Sequence, residues 1–208
     1  MIQRKQEILI PSLDLGGTKI DFAFFTADEK RKIALEYPSI KVIKENGKAN
    51  AERTFRLIAE LIKERTREAE KKGFFVLRLL GIGAPGLYME DKSVDPRTVP
   101  NIPDLSIIKP VTFLEDLLGD DWKVYIDNDG IAQAVASAFL FILSKEFATQ
   151  WSQILEDSGR RIIYFGPGTG FGAGNITTLR DNNVQPVSGN QAFFDILIRD
   201  GKTAEDLL

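Results

Sequence analysis

At 208 residues, with 43% hydrophobic and 27% charged residues, the chain is long enough to bury a core and has the composition of a soluble globular protein of one large domain or two lobes. A net charge of −3 without a dense lysine–arginine block argues against a nucleic-acid surface. With no cysteine there are no disulfides and no thiolate metal sites, and with no histidine acid–base chemistry falls to carboxylates, lysine or tyrosine. The polar start, Met1 to Gln6, and the lack of a long apolar run predict neither a signal peptide nor a membrane span, so the expected location is cytoplasmic.

The runs Ile8 to Leu15 and Lys19 to Thr26 read as strands joined through Gly16-Gly17-Thr18, a hairpin in which consecutive glycines are expected to supply positive φ. Asp14 stands just before the turn. A turn without side chains offers its amides to an anion, whereas a carboxylate repels one, so the two belong together where a cation sits between them. Two readings stay open: a nucleotide phosphate with Mg²⁺, or a plain hairpin with an acidic rim. Lys32 to Tyr37 reads as a third strand after the polar connection Ala27 to Lys30, giving an antiparallel meander. From Ala51 to Lys72, Ala51, Phe55, Ile58, Ala59, Ile62 and Ala69 recur at helical spacing, and Gly73 marks the stop. The outer face is expected to carry the pairs Glu60/Lys63, Glu64/Arg67 and Glu68/Lys72.

Phe74 to Ile82 is apolar except for Arg78, the pattern of a strand covered on both faces, and a helical crossover should set it parallel to an earlier strand. It runs into Gly81-Ile82-Gly83-Ala84-Pro85-Gly86, and ligand sites in such sheets open at the carboxyl ends of strands. Asp91 to Ser106, with three prolines, reads as a stiffened loop, either functional or a rigid connection. Val111 to Leu118 reads as a short helix closed by Gly119, and Lys123 to Ile126 as a strand. Asp127-Asn128-Asp129-Gly130 follows, then an apolar helix from Ile131 to Leu143. One Asn or Asp explains a helix N-cap, but three polar residues in a row exceed that need and point to a carboxylate held at a strand end. Glu146 to Asp157 reads as a further helix and Gly159 to Arg161 as a turn. Ile162 to Phe165 and Phe171 to Thr178 then read as strands joined through Gly166 to Gly170, which repeats the layout around Asp14 to Lys19.

Asp14-Leu15-Gly16-Gly17-Thr18-Lys19, Gly81 to Gly86, Asn101-Ile102-Pro103, Asn128-Asp129-Gly130 and Gly168-Thr169-Gly170 stand in the order seen in sugar kinases of the repressor–open reading frame–kinase (ROK) group, which the chain resembles from about Ile8 to Gly174. It is similar also to the bacterial glucokinases, whose Asn-Asp helix often continues like Ala132-Gln133-Ala134. The resemblance implies an α/β fold of ribonuclease H-like (actin-like ATPase) lobes with mixed β-sheets flanked by helices. The first lobe is expected over 1–118 and a second, incomplete one over 119–208. It implies an ATP-dependent kinase acting on a hexose or amino sugar, with Mg²⁺ and without zinc. Asp14 would place Mg²⁺, directly or through water; Gly16, Gly17, Thr18 and Lys19 would form the first phosphate loop, and Gly168, Thr169 and Gly170 the second. Pro85, Gly86, Asn101 and Asn128 would line the sugar pocket, and Asp129 would be the base. The family's Glu-x-Gly-His element aligns with Gly189 to Phe193, so Asn190 stands for Glu and Phe193 for His. Asn190 can still meet a hydroxyl, whereas Phe193 offers only stacking. The family's adenine-binding region lies beyond this point, which sets a shortened relative or fragment beside a working kinase.

Other readings are a non-catalytic sugar- or nucleotide-binding relative, a repressor of the same group, and an actin-like assembling ATPase. A repressor needs a helix-turn-helix before the first strand, and an actin-like ATPase leaves Asn128-Asp129 and the proline-rich loop without a purpose. Apolar surface on an incomplete lobe would favour a homodimer.

Overall fold

In the computed structural model of the chain, β1 (Ile8–Leu15) and β2 (Lys19–Thr26) pair antiparallel in the register that puts both apolar sets on one face. Leu9, Leu13 and Leu15 of β1 and Ile20, Phe22 and Phe24 of β2 are all buried there. The structure describes residues 6–27, 33–89, 91, 93–99, 102–133, 161–167, 171–178 and 184–186. The chain divides into two compact units, Met1–Ile126 and Asp127–Leu208.

In the first unit β3 (Ile33–Glu36) pairs antiparallel with β2 and completes the meander. β4 (Ile40–Lys41) pairs with the start of β2, and β5 (Lys44–Glu45) with β6 (Lys48–Ala49) makes a small separate hairpin. These three strands were not anticipated, because two residues leave no alternation to read. α1 (Ala51–Lys71) forms where its period predicts. Asn50 caps it by accepting from the Arg53 N–H at 2.9 Å, and Phe55, Ile58, Ala59, Ile62 and Ala69 are buried along one stripe. The expected surface pairs are replaced. Among the described residues the ion pairs within α1 are Arg56–Glu52 at i,i+4 and Arg65–Glu68 at i,i+3. Arg65 also lies over the Tyr37 ring, 4.5 Å from its centroid, a contact that local spacing along a helix does not encode.

The apolar run after α1 returns parallel to β1, as the crossover requires, but as two strands: β7 (Phe75–Val76) and β8 (Leu79–Ala84). Pro11 gives a reason for the break. The carbonyls of Glu7 and Leu9 accept from Phe75 and Leu77, so alternation turns the Pro11 nitrogen toward the same neighbour, where it has no N–H to give. The ladder resumes at Ser12 opposite Gly81. Arg78 uses the interruption. Its guanidinium reaches Glu70 at 2.7 Å and lies over the Trp122 ring, and its carbonyl accepts from the Lys123 N–H at 2.8 Å. The expectation that this run is covered on both faces does not hold, since Phe75 is 49% and Leu79 37% exposed. Helix packing buries Val76, Leu80, Ile82 and Ala84 on the other face only.

α2 (Pro110–Leu118) is closed by Gly119, and β9 (Lys123–Asn128) follows. The sheet order is β3-β2-β1-β8-β9, with Trp122 and Val124 buried in the first unit's core, which keeps the chain in that unit as far as Ile126. The sheet is therefore mixed, antiparallel through the meander and parallel from β1 to β8.

In the second unit β10 (Arg161–Pro167) and β11 (Phe171–Thr178) pair antiparallel, the last register pair being Pro167 with Phe171, and β12 (Val184–Pro186) adds to β11. Both predicted strands are present, each where the sequence puts it. Residues 129–133 are helical; the rest of the helix expected to Leu143, and the one expected over Glu146 to Asp157, lie outside the described residues. Among the described residues no helix is long and apolar enough to cross a membrane.

Candidate functional site

β1 and β8 are parallel neighbours, so their carboxyl ends bring Asp14 to Lys19 and Ala84 to Gly86 to one edge of the first unit's sheet. The β1–β2 turn is closed by the Gly16 N–H donating to the Lys19 carbonyl at 2.9 Å. Val42 N–H holds it from outside by donating to the Thr18 carbonyl at 3.1 Å. The expected positive φ is not there: among the described residues the glycines with positive φ are Gly47, Gly73, Gly86 and Gly119. Close approach is what favours glycine at position 16, where a Cβ would stand 3.4 Å from the Lys19 carbonyl oxygen. Since the Gly16 N–H is engaged within the turn, the amides that would meet an anion are those of Gly17 and Thr18.

Asp14 is exposed at the end of β1, directly opposite Asp21 of β2 on one side and Gly83 of β8 on the other. Gly81 and Gly83 place no side chain of β8 beside Ser12 and Asp14. Like charges facing each other across a strand pair are unfavourable without a neutralising partner, and Lys19 supplies one. Its ammonium lies 2.6 Å from an Asp21 carboxylate oxygen, and the Ser39 hydroxyl donates to the other. Hydrogen bonding to Lys19 and then to Ser39 lowers the Asp21 pKa, and the same pair raises that of Lys19. Lys19, expected among the phosphate-loop residues, is thus engaged by Asp21. Asp21 and Ser39 were missed by the sequence reading. Counting hairpin register back from the turn, 15 opposite 20 and 14 opposite 21, is the signal that finds the first of them.

Among the described residues no group of three or more metal-ligating side chains is present. Mg²⁺ bound with a nucleotide keeps several waters and takes one or two carboxylates plus phosphate oxygens. Asp14, exposed and beside Gly83, fits that donor set; among the described residues an all-protein cage is not built.

At the end of β8 the Pro85–Gly86 turn is locked into the proline-rich stretch. Gly86 has φ +116°, and a Cβ there would lie 2.7 Å from Val99 Cγ1 and 2.9 Å from Val94 Cγ1. The stretch is more than a surface loop. It carries two short 3₁₀ turns, Pro96–Thr98 and Pro103–Ser106, and buries Val94, Val99, Ile102 and Leu105. Asp95 caps the first turn by accepting from the Arg97 N–H at 3.0 Å and pairs with the Arg97 guanidinium at 2.6 Å. These contacts, the guanidinium first, hold the Asp95 carboxyl at about 2 against an ordinary 3.8. A depressed carboxylate pKa means that the cap's contribution is fully present above pH 3.8 and is lost as pH falls through about 2. Amide exchange at Arg97 should therefore speed up selectively between pH 4 and pH 2, and Asp95→Asn should remove that pH dependence.

In the second unit Asn128 is the N-cap: its Oδ1 accepts from the Ile131 N–H at 3.2 Å. The cap is thus accounted for by one of the three polar residues, and Asn128 has this local role beside its expected place in a sugar pocket. Asp127 accepts from the Asn128 N–H at 2.7 Å, and partial burial of its carboxyl raises its pKa. Asp129 accepts from the Gly130 N–H at 2.8 Å. Asn101, Gly168, Thr169, Gly170 and Asn190 lie outside the described residues.

By sequence, no family model and no curated protein matches the chain. By structure it is similar to the inorganic polyphosphate/ATP-glucomannokinase of Arthrobacter sp. strain KM, with a TM-score of 0.67 and 20% identity over 97% of this chain and 68% of that one. It is similar to the ROK hexokinase of Thermus thermophilus, at 0.58 and 24%, over 88% of this chain and 50% of that one. A ROK-family transcriptional regulator homologous to the Escherichia coli MLC protein matches at 0.55 and 17%, over 86% of this chain and 38% of that one. The chain thus spans about two thirds, one half and two fifths of those lengths. The mixed sheet flanked by helices is the ribonuclease H-like α/β fold of the ROK-type sugar kinases.

Proposed function

We propose that this chain, with the fold of the ROK-type sugar kinases, carries the phosphate-binding and sugar-binding parts of an ATP-dependent kinase acting on a hexose or amino sugar. The observation that carries the reading is the repeated hairpin: strand, glycine-containing connection and returning strand in each unit, with Asp14 at the end of the first. In the first phosphate loop, Gly16 closes the turn on Lys19 and the amides of Gly17 and Thr18 receive a phosphate. Gly168, Thr169 and Gly170 are assigned to the second phosphate loop on the resemblance alone. Asp14 would hold the phosphate-borne Mg²⁺, directly or through water, and the ion would neutralise phosphate charge. Pro85, Gly86, Asn101, Asn128 and Asn190 are the sugar's expected contacts.

In the transfer, a sugar hydroxyl oxygen forms a bond to the γ-phosphorus as the bond to the bridging oxygen breaks and ADP leaves with that electron pair. The hydroxyl proton passes to the Asp129 carboxylate. Because the transition state is loose, positioning and charge neutralisation matter more than base strength. The test is incubation with Mg-ATP, and separately with polyphosphate, against glucose, mannose and glucosamine, followed by product mass. A sugar phosphate is the expected product.

Two observations favour a second reading, a non-catalytic sugar- or nucleotide-binding relative: the same fold serves a ROK-family regulator, and the resemblance aligns Phe193 with the histidine of the sugar element. Calorimetric binding of sugar without any product would select it.

A further inference from the structure

We propose that Thr98 is a positioning residue for the sugar-binding turn, its hydroxyl setting where Pro85 and Gly86 stand. The proposal rests on the sugar-kinase reading for what the turn binds, while its geometry lies wholly within the first unit.

The Thr98 side chain joins two segments that are eleven residues apart. The Leu87 N–H donates to Thr98 Oγ1 at 2.9 Å, and the same oxygen lies 2.7 Å from the Asp95 carbonyl. A backbone N–H can only donate and a carbonyl can only accept, so the hydroxyl hydrogen has one direction left, toward Asp95. The hydroxyl is therefore fixed by its two partners. It sits against the turn itself, since a Cβ at Gly86 would be 3.6 Å from Thr98 Oγ1. Around it the chain is cross-tied. Asp95 N–H donates to the Leu87 carbonyl at 3.0 Å, and the Tyr88 hydroxyl donates to the Pro85 carbonyl at 3.2 Å. Val94 and Val99 close over Gly86 from the sides.

The arrangement has a directional consequence. The glycine turn at the end of β1 shares the sheet edge with Pro85 and Gly86, but among the described residues its outer backbone tie comes from Val42. Moving Thr98 therefore displaces the sugar turn and leaves the nucleotide turn where it is. A general loss of packing has no reason to separate the two ligands.

Thr98→Val keeps the shape, removes the acceptor for the Leu87 N–H and removes the donor to Asp95. The expected result is a KM for glucose or mannose raised about tenfold, the scale of one lost buried hydrogen bond, with the KM for Mg-ATP unchanged within about twofold. Thr98→Ser, which keeps the hydroxyl, should restore the sugar KM. Equal rises in both KM values, or an unchanged sugar KM in Thr98→Val, would overturn the proposal while leaving the kinase reading intact. If the unaltered chain neither phosphorylates nor binds glucose, mannose or glucosamine, the kinase reading falls and this one with it. Should Thr98→Val fail to fold, amide exchange on the unaltered protein decides. Added sugar should slow exchange at Leu87 more than Mg-ATP does, and the reverse order refutes the proposal.

Discussion

Asp129→Asn is expected to lower kcat about 10²–10⁴-fold, the usual scale for losing a general base, with the melting temperature unchanged. Asparagine keeps the oxygen that accepts the Gly130 N–H, and the helix cap is made by Asn128 rather than by Asp129, so the local structure has no reason to change. Only the capacity to take a proton is removed. The companion variant, Asp127→Asn, separates the two carboxylates. Asp127 stands outside the Asn128-Asp129 pair to which the resemblance assigns the chemistry, so its substitution should cost less than tenfold. Loss of turnover in Asp127→Asn but not in Asp129→Asn would move the base assignment by two residues.

Gly86→Ala should be the most destabilising single change at the sugar turn, by about 2–4 kcal/mol. Two penalties act together. At φ +116° an L side chain is strained wherever it points, and the new methyl would stand 2.7 and 2.9 Å from the Val99 and Val94 side chains. Those valines are buried with Ile102 and Leu105, so they have little room to withdraw. For a chain of this length the cost corresponds to a fall of about 5–15 °C in melting temperature, to be read by calorimetry. A neutral Gly86→Ala would mean that the turn adopts another conformation. By contrast, Gly16 has ordinary φ, and among the described residues a Cβ there would meet only the Lys19 carbonyl oxygen, at 3.4 Å; Gly16→Ala should cost far less stability than Gly86→Ala.

Much of this was legible in the residue pattern. The meander, the crossover helix and the parallel return follow from period-2 and period-3.6 spacing of apolar residues, which is a local property of the chain. The hairpin of the second unit was legible for the same reason, and its paired strands are Arg161–Pro167 and Phe171–Thr178. The Lys19–Asp21–Ser39 cluster was not, because Ser39 comes from a segment whose strand is two residues long and reaches Asp21 only through sheet pairing. The proline-rich stretch was legible as stiff but not as buried. Its valines and Ile102 are spaced without a period, and only packing under the Pro85–Gly86 turn makes them core.

What the sequence determined by itself is the order of the longer strands, α1, α2 and the glycine turns, and the kind of chemistry available to a chain without histidine or cysteine: carboxylates, amides and hydroxyls. Side-chain period and turn composition are written locally, so they survive without coordinates. What only the tertiary structure decided is the use of each polar group. Asp21 faces Asp14, Lys19 is engaged by Asp21, Asn128 serves the helix as its cap, and Thr98 ties Leu87, just after the Pro85–Gly86 turn, to the Asp95 carbonyl three residues before it. Each of these depends on register or on a loop folding back, and neither distance nor direction across a sheet is recorded in the spacing of residues along a chain.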